Sequence, residues 1–190
     1  MLAKEISHLV KRDFVHLFMR VIYVYIHEKV TPPQLKIRTF EVPSAHSAEY
    51  YRSRTLGLVN TNKRTGVLQE IAVVIPTYKA RNHILGVIDG IGSEVARIYV
   101  VDDYCPDRSG DFVAANCKDS RVSVIRHTEN QGVGGAVMTG YEAAIKHGMS
   151  ILVKIDSDGQ MDPALIMDFV IPIISGEADY TKGNRFFNLE

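Results

Sequence analysis

From residue 71 onward the chain alternates short apolar runs with longer segments whose apolar residues recur at helical spacing. Ile71-Ala-Val-Val-Ile75, Arg97-Ile-Tyr-Val-Val101, Arg121-Val-Ser-Val-Ile125 and Ile151-Leu-Val-Lys-Ile155 are short and rich in β-branched residues, as expected of strands buried on both faces. Between them, residues 81–91, 109–116 and 132–147 are predicted helices; Ile84, Leu85 and Ile88 form the apolar side of the first. Residues 163–174 predict a fourth helix, opened by Asp162 as N-cap and Pro163 at the first helical position. Residues 180–182 begin a fifth strand. Strands and helices alternating through short connections imply right-handed crossovers and a mostly parallel sheet with helices on both faces, an α/β, Rossmann-like fold.

The first third of the chain reads differently. In residues 2–30, Ile6, Leu9, Val10, Phe14, Leu17, Phe18, Val21 and Tyr25 fall at roughly helical spacing, and Thr31-Pro32-Pro33 stops the pattern. Residues 1–33 are therefore predicted to be an N-terminal amphipathic helix. Packing on the domain or on a partner is favoured over an interfacial membrane helix, which its basic residues would also allow. Residues 34–69 show no sustained period and read as a linker or poorly ordered arm. Residues 70–190 form the predicted α/β domain.

Charge sharpens the division. The formal net charge is zero, which gives no support to a nucleic-acid partner. Residues 1–70 carry 11 Lys/Arg against 6 Asp/Glu, and residues 71–190 carry 11 against 16. Cys105 and Cys117 have no metal-binding spacing, so a reduced cytoplasmic compartment is expected. No secretory signal pattern is visible, and the apolar stretch 14–26 is too short to span a bilayer.

Parallel strands align their carboxyl ends, where open α/β sheets place ligands. Polar residues follow every strand there: Pro76-Thr-Tyr78, Asp102-Asp103, Asn130-Gln-Gly132-Val-Gly-Gly135-Ala136 and Asp156-Ser-Asp158-Gly-Gln160. Asp156, Asp158 and the Gln160 amide offer hard oxygen donors suited to Mg²⁺ or Mn²⁺; a solvated acidic loop is the plain alternative. Asp102 and Asp103 could accept hydrogen bonds from a base or ribose, or cap a helix. The glycines either admit a phosphate or simply allow close backbone approach. They match neither the dinucleotide fingerprint nor a P-loop, which argues against a dinucleotide-dependent oxidoreductase. Lys182-Gly-Asn-Arg185 places two cations at a strand end, as a diphosphate contact or a solvated basic turn.

Taken together, Ile71-Ala-Val-Val-Ile-Pro-Thr-Tyr78, Val100-Val-Asp-Asp103, Asn130-Gln-Gly-Val-Gly-Gly-Ala136, Asp156-Ser-Asp-Gly-Gln160 and Lys182-Gly-Asn-Arg185 resemble, in order and context, the family 2 glycosyltransferases. The resemblance is strongest to the branch of dolichyl- or polyprenyl-phosphate sugar synthases, and it covers residues 70–190. It implies a GT-A fold, a nucleotide-diphosphate sugar donor, a divalent metal and a lipid-phosphate or glycan acceptor. A polyprenyl-phosphate acceptor would require peripheral association at the cytoplasmic membrane face, which the N-terminal helix could provide, and no residue decides the matter.

On that resemblance Pro76, Tyr78, Asp102 and Asp103 lie around the nucleoside, and the loop from Asn130 through Gly132 sits beneath the nucleotide. Asp156 and Asp158 form the Asp-x-Asp that holds metal and diphosphate during catalysis, Gln160 adds a metal ligand, and Arg185 binds the donor. Lys79 stands where many members carry Asn-Glu, and Asn184 replaces the usual serine. Family members continue beyond the arginine segment into the acceptor half, so these residues look like a donor-binding half. A binding or scaffolding module without activity is thus the main rival. A sugar-1-phosphate nucleotidyltransferase would need a Gly-rich, Arg-containing loop after the first strand, where Pro76-Thr-Tyr-Lys-Ala80 stands.

Overall fold

The computed structural model describes residues 23–26, 37–41 and 70–184. Seven strands form one sheet: β1 (Tyr23–Ile26), β2 (Ile37–Glu41), β3 (Ile71–Thr77), β4 (Val95–Asp102), β5 (Val122–Arg126), β6 (Ile151–Lys154) and β7 (Tyr180–Asn184), in the order β2-β7-β1-β6-β3-β4-β5. The four described α-helices are α1 (Ile84–Asp89), α2 (Ser109–Asn116), α3 (Gly132–Lys146) and α4 (Ile166–Ile174). A single 3₁₀ turn, Pro163–Leu165, precedes α4, and the Asp162 carboxylate accepts the Ala164 N–H at 2.9 Å as its cap.

Strands β6, β3, β4 and β5 are parallel neighbours. Strand β1 runs antiparallel to both β6 and β7, and β2 runs parallel to β7, so β1 alone opposes the rest. The expected mostly parallel α/β sheet is what the chain forms.

Alternation along the strands divides the core into two layers. Ile71, Val73, Ile75, Ile98, Val100, Val153 and Ile155 pack with α1, α2 and α4. Ala72, Val74, Tyr99, Val101 and Leu152 face α3 on the other side through Ala136, Val137, Tyr141 and Ala144. Gly140 lets α3 approach closely, since a Cβ there would collide with the Val74 and Val101 methyls. Gly140→Ala should therefore lower stability by about 1–3 kcal/mol, although alanine favours helix by about 1 kcal/mol. Urea denaturation measures the sign.

Two expectations for the first third are corrected within the described residues. Tyr23–Ile26, placed in the N-terminal helix, is strand β1. Its Tyr-Val-Tyr-Ile run is aromatic and β-branched, and it fills the gap between β6 and β7. Ile37–Glu41, placed in the linker, is edge strand β2 on β7. The remainder of the expected helix and arm lies outside the described residues.

Arg121 ties the rear of the sheet together. Its guanidinium donates to the Ile91, Gly92 and Val95 carbonyls and, at 2.7 Å, to the Asp119 carboxylate. The hydrogen bond from Arg121 holds the Asp119 carboxyl below the usual carboxylate range, against the opposing effect of burial. A depressed folded value means stability that is present above about pH 3.9, the ordinary aspartate value, and lost as pH falls through the folded value. Asp119→Asn should flatten the acid limb of the stability curve, as read by denaturation between pH 2 and 6.

Candidate active site

The carboxyl ends of β6, β3 and β4 lie side by side in that order. Adjacent strands are about 4.8 Å apart, so the loops after β6 and β4 stand about 10 Å apart with the β3 loop between them. Thr77 is in register with Asp102, and Val74 with Lys154, so Tyr78 and Asp103 leave the sheet together and Asp156 follows one strand away.

The two neighbouring aspartates do different work. Alternation sends Asp102 toward α2 and Asp103 toward α3. Asp102 is buried, and its carboxylate accepts the Cys105 N–H at 2.7 Å and the Gly110 N–H at 2.6 Å. A Cβ at Gly110 would press on that carboxylate. Both Asp102 oxygens are thus engaged by backbone N–H groups and shape the loop before α2.

Asp103 is equally buried, but it joins three rim loops. Its N–H donates to the Thr77 carbonyl at 3.1 Å. Its carboxylate Oδ1 lies 2.7 Å from His127 Nδ1 and accepts the Gln131 N–H at 2.8 Å. Its carbonyl accepts from the Asn130 amide at 3.1 Å. His127 Nε2 in turn lies 2.9 Å from the Thr139 hydroxyl on α3. Asn130 Oδ1 accepts the Gly132 N–H, and Gly132 has φ +76°, which a side chain would strain. Asn130 and Gly132 thus set the entry to α3, fastened to Asp103.

Pro76 lies within β3, opposite Val101. Tyr78, just past it, is 48% exposed. Its turn is latched to the loop after β4: the Lys79 N–H donates to Cys105 Sγ at 2.9 Å and the Ala80 N–H to Ser109 Oγ at 3.1 Å. The Asp107 carboxylate accepts from the Cys105 thiol, the Ser109 hydroxyl and the Ser109 N–H. Burial pushes the Asp107 carboxyl up, but these bonds and one from the Arg81 backbone outweigh it and hold the group below the usual range. Lys79, Tyr104 and Arg108 all take left-handed backbone, with φ of 53°, 53° and 55°. Non-glycine residues seldom adopt it, and all three lie on these two loops.

On the third loop, Asp156 Oδ1 is 2.5 Å from the Lys154 ammonium. Asp158 Oδ1 accepts the Gln160 N–H at 3.0 Å, and Gln160 is exposed. Gly159 has φ +76°, and a Cβ there would touch His83, so this loop packs against the turn that follows Tyr78.

Among the described residues no group of three or more His, Cys, Asp or Glu converges on a cation position. Two carboxylates and an amide suit Mg²⁺ or Mn²⁺ in its usual mode, held by few protein oxygens and completed by phosphate oxygens and water. Lys182, on β7, shares a register line with Lys154 through β1. Arg185 lies outside the described residues.

His127 and Lys154 were not singled out by sequence reasoning. The signals existed: a histidine directly after an apolar strand, and a lysine inside one.

Residues 72–189 match the family described as Glycosyl transferase family 2. The chain is 30% identical over 122 residues to polyprenol monophosphomannose synthase of Mycolicibacterium smegmatis, covering 62% of this chain and 46% of that protein. It is 30% identical over 132 residues to the UDP-N-acetylglucosamine–dolichyl-phosphate N-acetylglucosaminyltransferase of Methanococcus voltae, covering 62% and 53%. The chain thus spans about half the length of these curated relatives. Among solved structures it is similar to S. aureus TarS, with TM-score 0.46, 18% identity, and coverage of 57% of this chain and 33% of that one. A mannosyltransferase from Pyrobaculum calidifontis in complex with GDP-Man and Mn²⁺ gives TM-score 0.38 at 18% identity, covering 60% and 35%.

Proposed function

The chain belongs to glycosyltransferase family 2, and from that premise we propose that its rim binds a nucleotide-diphosphate sugar and presents the sugar for transfer to a lipid phosphate or glycan. The observation that carries this reading is the parallel run of β6, β3 and β4, which sets Asp156 and Asp158, Tyr78 and Asp103 on adjacent loops of one edge. Tyr78 offers an exposed aromatic face to a base, and Asp103, fixed by His127 and Gln131, borders the nucleoside. Asp156 and Asp158, with Gln160, hold Mg²⁺ or Mn²⁺. The ion supplies positive charge against the diphosphate leaving group. The protein's own part is positioning donor and acceptor for direct displacement, with inversion at the anomeric carbon.

The names of the two curated relatives support a polyprenyl or dolichyl phosphate acceptor. We place the protein at the cytoplasmic membrane face. Among the described residues no helix is long and apolar enough to cross a membrane.

Calorimetry with UDP and GDP in the presence of Mn²⁺, run beside a transfer assay to polyprenyl phosphate, tests the reading. Mn²⁺-dependent nucleotide binding with transfer supports it. Binding without transfer supports a donor-binding module, and absence of both overturns the assignment.

A further inference from the structure

We infer that Lys154 is a positioning residue that makes cation binding at the acidic pair depend on the accompanying diphosphate. This rests on the reading of Asp156 and Asp158 as the metal-holding pair. Lys154 belongs to β6, whose other three members, Ile151, Leu152 and Val153, are wholly buried; Lys154 is itself only 5% exposed. A buried ammonium is costly without a close counter-charge. Here the counter-charge is Asp156, 2.5 Å from the ammonium and 19% exposed at its side chain. The pair therefore opens toward solvent through the carboxylate, and the cation of Lys154 backs it from within.

That arrangement changes what the site presents. Two carboxylates alone would offer a charge of about −2 to an arriving cation; with the ammonium against one of them the local charge is about −1. A lone divalent ion meets a weakened field. An ion arriving with a diphosphate meets the same ammonium as an attraction for phosphate oxygens. The diphosphate draws the ammonium off Asp156 onto its own oxygens, which frees that carboxylate for the ion, and through this exchange of partner each ligand raises the other's affinity. Strand alternation places Lys154 on the α3 side with Leu152, so the ammonium reaches Asp156 from beneath the rim.

The test is Mn²⁺ binding to the whole chain, read from the free-ion electron paramagnetic resonance signal with and without UDP or GDP. Wild type, Lys154→Met, Lys154→Gln, Lys154→Arg and Asp158→Ala are compared, with thermal melts recorded alongside. Lys154→Met should bind Mn²⁺ alone on the order of tenfold tighter, the effect of removing one charge a few ångströms away. The enhancement of Mn²⁺ affinity by nucleotide should shrink to match, and Lys154→Arg should restore wild-type coupling. If Lys154→Met fails to fold, Lys154→Gln carries the same expectation. Unchanged or weaker Mn²⁺ affinity in a folded neutral variant, with coupling intact, overturns the inference alone. Mn²⁺ binding that Asp158→Ala leaves untouched overturns the metal-holding reading and this inference with it.

Discussion

Asp158→Ala is expected to lower the rate of sugar transfer on the order of 10²-fold or more while leaving the fold intact. Asp158 lies beyond the end of β6, on a loop that turns at Gly159. Its side chain is partly exposed on this loop, and a hydrogen bond such as the one from the Gln160 N–H contributes about 0.5–1.5 kcal/mol. The activity loss has another source. A charge preorganised against a developing negative leaving group acts mainly in the transition state. The signature is therefore a fall in kcat together with loss of Mn²⁺ dependence, measured by steady-state transfer across an Mn²⁺ titration. A variant that keeps both would remove Asp158 from the machinery.

Asp103→Ala should produce the largest stability loss of any rim substitution, about 3 kcal/mol, by leaving two partly buried donors without their acceptor. Asp103 Oδ1 receives the Gln131 N–H and lies 2.7 Å from His127, whose other nitrogen is occupied by Thr139. Removing the carboxylate frees the start of α3 from β4 and lets the Asn130 loop move. Nucleotide affinity should fall with it, whereas Asp102→Ala should mainly loosen the loop leading into α2. Urea denaturation and nucleotide titration of both variants separate these roles.

The contrast between those neighbours marks a limit of sequence reading. Strands β3, β4, β5 and β6 were legible because runs buried on both faces are local patterns. The helix over 109–116 was likewise legible and is observed with those bounds. Which of Asp102 and Asp103 caps α2 depends on the side from which each leaves β4, and that is set only once the helices are placed. Strands β1 and β2 were missed for a related reason: their partners on β6 and β7 lie more than a hundred residues away. Tyr25 fitted a helical spacing equally well, and only pairing decides between the two. Lys154 was hidden by the apolar run around it, although a charge in such a strand demands a partner.

The motifs at Tyr78, Asp103, Asn130 and Asp156 were legible as an ordered set because each comes after a strand, whereas Lys182-Gly-Asn184 lies inside β7. The latch beneath Tyr78 was not, since Cys105, Asp107 and Ser109 form it across two loops and have ordinary local roles in sequence.

One ligand is expected to bridge the three loops. Crystals grown with Mn²⁺ and UDP or GDP test this directly through the anomalous signal of the metal. The prediction is a metal peak about 2.1 Å from a carboxylate oxygen of Asp158, with the diphosphate beside it and the base against Tyr78 and Asp103. A metal peak away from Asp156 and Asp158, or a base bound elsewhere on the sheet, would contradict it.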